Sequence, residues 1–176
     1  NRDPRLAKTV VVNGEAWPND LAAYDSNYPT IETYVGGHHS RTGNAAGKSY
    51  ATTTGYYLKK FCNPDQILRA RSGVAVTTSP HGWLTFRMGG MYLNYAEALY
   101  QYFKACGNGN AADASGAVEY KDAEGNAQSI TVPATQTAAK MASKTRERSS
   151  MPAFATGMTN DEFWAEYKNE RRVELA

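Results

Sequence analysis

The chain has 176 residues, of which 41% are hydrophobic and 20% charged, and its 19 basic and 17 acidic residues give a formal net charge of +2. This length suits one domain or a large part of one, and the 12 Tyr, 5 Phe and 3 Trp exclude a chain that is disordered throughout. No apolar run approaches the roughly 20 residues of a membrane-spanning helix. The nearly balanced charge lacks the electrostatic footprint of a nucleic-acid-binding protein, so we expect no nucleic-acid partner.

The first third of the chain is poor in regular periodicity. The β-branched run Lys8–Val12, followed by the turn dipeptide Asn13–Gly14, predicts a short strand. Residues 17–54 show neither a helical nor a strand period, and Gly, Ser, Thr, Asn and Pro dominate there. Such a long loop in a compact domain is uncommon and is usually functional or disordered. Thr53–Phe61 returns to a β-like pattern.

The strongest helical pattern in the sequence extends from Leu84 to Cys106. Apolar residues recur there at three- and four-residue spacing on two adjacent stripes, which predicts a helix that packs between neighbours. The first stripe comprises Leu84, Met88, Tyr92, Ala96, Leu99 and Phe103, and the second comprises Met91, Tyr95, Ala98 and Tyr102. Gly107-Asn108-Gly109 is expected to end this helix.

The next segment, Val118–Val132, has the alternation of a β-hairpin with a turn near Glu124-Gly125-Asn126. In this prediction, one strand places Val118 and Tyr120 opposite Ile130 and Val132 of the other. A helix over residues 134–148 follows, with Pro133 in its first turn. Its apolar residues are Ala138, Met141 and Ala142, and Met151-Pro152 is expected to break it.

The last helix is predicted from a capping box, Thr159-Asn160-Asp161-Glu162. Phe163, Trp164 and Tyr167 are expected on its buried face, and the alternating charges of Glu170–Glu174 are expected to form a solvated, salt-bridged face. No Gly, Asn or Pro ends this helix before Ala176. We therefore expect residues 1–176 to be a single fragment of a longer protein that extends at both ends.

The sequence offers little that predicts catalysis or metal binding. Gly43–Ser49 has three residues between its glycines where a phosphate-binding loop needs four. The adjacent His38 and His39 direct their rings apart and have no Cys or carboxylate at the spacing of a zinc site, and no Gly-x-Ser-x-Gly nucleophile elbow is present. We expect no catalytic residue, no cofactor and no metal. Cys62 and Cys106 are two separate buried thiols or one disulfide bridge.

Five segments, in this order along the chain, resemble motifs of the SusD/RagB family of outer-membrane nutrient-binding lipoproteins. The segments are Arg2–Leu6, Thr54–Phe61, Phe86-Arg87 with Tyr92–Ala98, Arg146–Pro152 and Glu170–Ala176. The resemblance implies a mainly α, SusD-like fold with tetratricopeptide-like helix packing, short β-hairpins and long loops. It also implies a lipid anchor upstream of this chain, on the outward face of the cell outer membrane, and a TonB-dependent transporter as partner.

The function implied by the resemblance is the capture of glycans for nutrient uptake without bond chemistry. The alternative is a tetratricopeptide-like module that binds a protein or peptide, and a hydrolase ranks third. Sugars have polar edges and a flat C–H face, so exposed Trp and Tyr on polar loops suit them. The predicted ligand-binding residues are Trp17, Tyr24, Tyr28, Tyr34 and Trp83.

Overall fold

The computed structural model describes residues 3–16, 29–42, 51–60 and 85–175. The chain divides into two compact units, an N-terminal unit over Pro4–Trp83 and a C-terminal unit that contains Leu84–Ala176. The described residues form four helices and two small antiparallel sheets. The prediction of a mainly helical protein with short β pieces is therefore confirmed, whereas tetratricopeptide-like packing stays a prediction.

The N-terminal unit contains a short helix and a two-stranded sheet. Helix α1 spans Leu6–Thr9, and strand β1, Val10–Val11, pairs antiparallel with strand β2, Tyr57–Leu58. The predicted strand at Lys8–Val12 is thus wrong in its first half. The backbone carbonyl of Arg5 accepts hydrogen bonds from the N–H groups of Lys8 and Thr9, which keeps both residues in a helical turn.

In the C-terminal unit, helix α2 spans Met88–Ala105, which is shorter at both ends than the prediction of Leu84–Cys106. Arg87 is its extended N-cap. At the other end, Gly107 has a positive φ of 84°, and the N–H of Asn108 reaches back to the carbonyl of Phe103 over 3.1 Å. This arrangement is a Schellman motif, in which glycine takes the left-handed conformation that ends the helix.

Helix α2 contributes a large part of the hydrophobic core of this unit. Its buried side chains are Leu93, Ala96, Leu99, Tyr100 and Phe103. The first predicted stripe holds at Ala96, Leu99 and Phe103, but Met88 at its start is mostly exposed. The second stripe is not buried: Met91 and Ala98 are exposed, and Tyr95 and Tyr102 are only partly buried. Leu93 and Tyr100 are buried on the side of the first stripe that lies away from the second.

Strands β3, Gly116–Lys121, and β4, Ala127–Val132, form the predicted hairpin. The turn over residues 122–126 contains Gly125 at a positive φ of 87°, as expected from the Glu-Gly-Asn segment. Val118 faces Ile130 as predicted, but Tyr120 faces Gln128 rather than an aliphatic residue. The turn sets this register, because the N–H of Asp122 donates to the carbonyl of Asn126.

Helix α3 spans Ala138–Arg148, so it begins four residues later than the predicted start. Pro133 is not in its first turn: its carbonyl accepts from the N–H of Gln136 in a separate turn, and extended Thr137 is the N-cap. The apolar residues predicted for this helix are buried. The helix ends before Met151-Pro152, with Ser150 in the left-handed region at a φ of 56°.

Helix α4 spans Asn160–Leu175 and begins with the predicted capping box. The Thr159 N–H donates to the Glu162 carboxylate over 2.9 Å, and the Glu162 N–H donates to the Thr159 hydroxyl over 3.4 Å. Hydrogen bonds from Thr159 hold the pKa of the Glu162 carboxyl below its usual value. The Asn160 side chain joins this helix start to the segment after α2 by accepting from the Ala111 N–H and donating to the Asn108 carbonyl.

Tyr167 connects α4 to α2 from a fully buried position. Its ring lies 5.3 Å from that of Trp164, and its hydroxyl donates to the carbonyl of Leu93 or the carboxylate of Glu97, at 2.8 and 3.0 Å. Burial raises the pKa of Tyr167 to about 12, the hydrogen bond from Arg171 opposes this increase, and the negative charge of Glu97 adds to it. The phenol is therefore a neutral hydrogen-bond donor in the folded protein.

The raised pKa of Tyr167 predicts a loss of stability at alkaline pH. The unfolded chain releases this proton near the ordinary pKa of 10 and the folded chain near 12, so the stabilisation is complete below pH 10 and is lost as the pH rises toward 12. We expect a loss of about 1.4 kcal/mol at about pH 11. Urea unfolding of the wild type and of Tyr167→Phe, at neutral pH and at about pH 11, measures this loss of stability. An equal alkaline loss in Tyr167→Phe contradicts the prediction, and Tyr34→Phe is the exposed control.

Candidate functional site

An exposed loop tip in the N-terminal unit carries the predicted ligand residue Tyr34. The loop begins at buried Ile31, whose N–H and carbonyl pair with the backbone of Glu15 and Gly14. A tight turn then joins the carbonyl of Tyr34 to the N–H of Gly37 over 2.8 Å, with Gly36 at a φ of 89°. Only a residue tolerant of positive φ fits there. The turn leaves 55% of Tyr34 exposed at its tip.

The loop is held in this shape by Glu32. Its backbone N–H donates to Nδ1 of His39 over 3.1 Å, and its carboxylate accepts from the N–H of His38 over 3.2 Å and lies 3.5 Å from the hydroxyl of Tyr34. A Cβ atom at Gly37 would lie 2.8 Å from the carbonyl oxygen of Glu32, so only glycine allows the returning chain to approach so closely. The exposed tyrosine is therefore presented by a constrained loop.

A second exposed tyrosine lies on a neighbouring segment. Gly55, at a φ of 81°, packs beside Thr33, whose hydroxyl lies 3.9 Å from the position of a Cβ atom on this glycine. The next residue, Tyr56, is 52% exposed. The following residue, Tyr57, is structural: its hydroxyl donates to the carbonyl of His39 over 2.8 Å. Tyr34 and Tyr56 thus extend from two segments that the hydrogen bond from Tyr57 to His39 joins.

Polar side chains lie on the segments that carry the two exposed tyrosines and on the strands next to them. Asn13 accepts from the backbone of Thr33 over 2.9 Å, and the hydroxyls of Thr52 and Thr54 lie 3.1 Å apart. Lys59 forms an ion pair and hydrogen bond with Glu15. The hydrogen bond from Lys59 holds the pKa of the Glu15 carboxyl below its usual value. The arrangement offers aromatic rings beside hydroxyl, amide and carboxylate groups.

Of the five predicted ligand residues, Tyr34 lies in the described part of the chain and is exposed as required. Trp17, Tyr24, Tyr28 and Trp83 lie outside the described residues, as do Gly43–Ser49 and Cys62. Cys106 is exposed, so the expectation of a buried thiol at this position is wrong. Tyr56 is a candidate that the sequence analysis missed. Tyr56 lies directly after Gly55 and just before strand β2, so the turn glycine was the signal available in the sequence.

The rings of the two adjacent histidines contact each other edge to face, crossing at 80° with centroids 4.9 Å apart. Nδ1 of His39 accepts a hydrogen bond, which places the proton of the neutral ring on Nε2. Within residues 3–16, 29–42, 51–60 and 85–175, no group of three or more His, Cys, Asp or Glu residues is arranged to hold a metal ion.

A family model described as the SusD family matches residues 1–176. The chain belongs to the SusD family. The resemblance carried by the five sequence motifs is therefore confirmed. Members of the SusD family bind glycans in nutrient uptake, work with TonB-dependent transporters and are generally non-catalytic and associated with the outer membrane. No curated protein and no solved structure matched the chain, and none of the described helices is long and apolar enough to cross a membrane.

Three of the SusD-family motifs meet in the C-terminal unit and stabilise it. The carboxylate of Glu174 accepts hydrogen bonds of 2.8 and 2.9 Å from Arg148, and the guanidinium of Arg87 lies 3.5 Å away. One turn earlier, the Glu170 carboxylate lies 2.6 Å from the hydroxyl of Thr145. These contacts join α4 to the end of α3 and the start of α2.

The prediction of a solvated charged face at Glu170–Glu174 is therefore wrong. Both glutamates are buried, because they continue the helical face that Phe163 and Tyr167 begin. Buried charges require partners, and the neighbouring motifs supply the arginines. The glycine at the start of α2 takes part as well: a Cβ atom on Gly89 would lie 2.7 Å from Oε1 of Glu174.

Proposed function

We propose that this protein captures glycans at the cell surface for nutrient uptake and does not cleave them. The observation that carries the proposal is the match of the SusD family model to residues 1–176. In this proposal the protein faces outward on the outer membrane through a lipid anchor. It delivers its ligand to a TonB-dependent transporter, which is its protein partner.

Tyr34 and Tyr56 are the proposed contacts for the sugar rings. Both are half exposed and lie on segments fixed by backbone hydrogen bonds and positive-φ glycines. A tyrosine ring offers a large apolar face and a polar hydroxyl at a low cost in conformational entropy. Glu32, Asn13 and Thr33 place polar groups near these rings. Trp17, Tyr24, Tyr28 and Trp83 remain predicted contacts.

The test is a panel of affinity gels that contain different polysaccharides, followed by analysis of the polysaccharide after incubation. We expect slower migration of the protein in at least one gel and no shortened products, because a binding protein holds its ligand without cleaving it. Shortened products would show a hydrolase instead. Binding of peptides with no retardation by any polysaccharide would favour the tetratricopeptide-like interaction module.

A further inference from the structure

The β3–β4 hairpin carries an exposed surface that the proposed glycan site does not use. We propose that Tyr120 and Gln128 on this hairpin form a second glycan-contacting surface, selective for uncharged sugar residues. This inference rests on the proposed function and adds a separate contact within the C-terminal unit.

The hairpin register places the two side chains next to each other. Tyr120 and Gln128 are directly opposite across the strands, where Cβ atoms lie about 5 Å apart. Toward the base of the same face, Val132 is fully buried and Val118 packs against the core. Toward the tip the face opens to solvent, so 47% of Tyr120 is exposed and Gln128 is exposed beside it. The ring of Tyr120 is therefore exposed near the turn of the hairpin, while Val118 and Val132 hold the base of the same face against the core.

The amide of Gln128 is oriented before any ligand arrives. Its Nε2 donates to Oδ2 of Asp122 over 3.0 Å, and the same carboxylate accepts from the backbone N–H groups of Glu124 and Asn126 at 3.1 and 2.8 Å. These hydrogen bonds, that of Gln128 first, hold the pKa of Asp122 below its usual value. The bond to Asp122 uses one N–H of the amide. The amide oxygen and the second N–H point elsewhere, and a fixed group loses little entropy on binding.

The position of the hairpin and the charges on it define the ligand class. The hydroxyl of Tyr102 on α2 accepts from the N–H of Glu119 over 3.0 Å, which ties β3 to the core helix. Because strand side chains alternate, Glu119 and Lys121 lie on the opposite face from Tyr120. The face that carries Tyr120 and Gln128 has uncharged side chains along both strands, and the carboxylate of Asp122, just beyond β3, lies against the Gln128 amide and disfavours acidic sugars. An aromatic plane beside a fixed, neutral amide matches the C–H face and the hydroxyls of an uncharged sugar.

The experiment measures the affinity of the 176-residue chain for neutral polysaccharides, namely amylopectin, xylan and mannan, and for acidic polygalacturonate. We expect Tyr120→Ala to weaken binding to the neutral ligand about tenfold and Gln128→Ala about threefold. Ser129→Ala, on the opposite face, is the matched control and should bind as the wild type does. Both altered side chains are exposed, and thermal unfolding verifies that each variant is folded.

Each outcome of this experiment bears on the inference. Equal affinity of Tyr120→Ala, Gln128→Ala and Ser129→Ala for a neutral polysaccharide that the wild type binds would overturn the hairpin surface and leave the proposed function standing. If Tyr120→Ala and Gln128→Ala weaken the binding of polygalacturonate and leave the binding of neutral polysaccharides unchanged, the selectivity for uncharged sugars is overturned. If the wild type binds none of the four, the proposed function fails and this inference fails with it.

Discussion

Arg148→Ala is expected to lower the free energy of unfolding by about 2–3 kcal/mol. The guanidinium of Arg148 donates to both carboxylate oxygens of Glu174, whose side chain is 1% exposed. Truncation leaves that carboxylate buried with Arg87 at 3.5 Å, a longer contact than the two it loses. The side chain of Arg148 is itself 62% exposed, so the cost arises from the buried anion and not from a cavity. Urea unfolding followed by circular dichroism measures the change.

The matched control is Arg172→Ala on α4. Arg172 is exposed and donates to Asn169 one turn away on the same helix, so its loss should change the stability by less than about 0.5 kcal/mol. Similar values for the two alanine variants would show that the contact between Arg148 and Glu174 stabilises nothing. In the double variant Arg148→Ala/Glu174→Gln, the buried anion is removed as well, so part of the lost stability should return. The difference between the single and double variants measures the interaction between the two side chains.

The sequence predicted those parts of the fold that depend on local signals. The capping box at Thr159–Glu162, the glycine stop at Gly107 and the hairpin turn at Gly125 all lie where the pattern placed them. Each depends on a few neighbouring residues and on backbone geometry that a given residue type favours. The starts of the helices were predicted less accurately. Arg87 is not a residue type that is preferred as an N-cap, and neither Arg87 nor Thr137 caps its helix with a side-chain hydrogen bond.

The charge pattern of Glu170–Glu174 did not predict the burial of Glu170 and Glu174. Charge alternation on a helix usually indicates solvent exposure. Glu174 is buried instead because its partner is distant in sequence: Arg148 lies 26 residues away. The helical period did contain a signal, because Phe163, Tyr167, Glu170 and Glu174 recur at three- and four-residue spacing. Reading that period through the charged residues would have placed both glutamates on the buried face.

The candidate site was predicted only in part for a related reason. Tyr34 was chosen because its surroundings are polar and aperiodic, and its exposure agrees with that choice. Tyr56 was overlooked because its neighbours have a strand-like composition, although strand β2 begins only at Tyr57 and Tyr56 lies in the loop before it. The proximity of the two segments depends on the hydrogen bond from the Tyr57 hydroxyl to the carbonyl of His39, which is a tertiary contact that spacing along the chain does not reveal.

The double variant Tyr34→Ala/Tyr56→Ala is expected to weaken glycan binding about 10- to 100-fold. Each ring supplies an apolar plane for a sugar face. The loop that carries Tyr34 is held by backbone hydrogen bonds, to which the tyrosine hydroxyl adds only a 3.5 Å contact with Glu32. Both side chains are half exposed, so the variant should unfold at nearly the wild-type temperature. Affinity gels loaded with the best polysaccharide of the panel, and calorimetry with its oligosaccharides, measure the loss.

The control for this variant is Tyr34→Phe/Tyr56→Phe, which retains both rings and removes both hydroxyls. If the rings carry the contact, this variant should lose no more than about tenfold, because a hydroxyl contributes a single hydrogen bond of modest net strength. Val35→Ala, at the same exposed loop tip, should leave binding unchanged. Unchanged retention of the double alanine variant would remove Tyr34 and Tyr56 from the site. Equal losses in the alanine and phenylalanine variants would instead assign the contact to the hydroxyl groups, so that hydrogen bonding and not stacking would account for recognition.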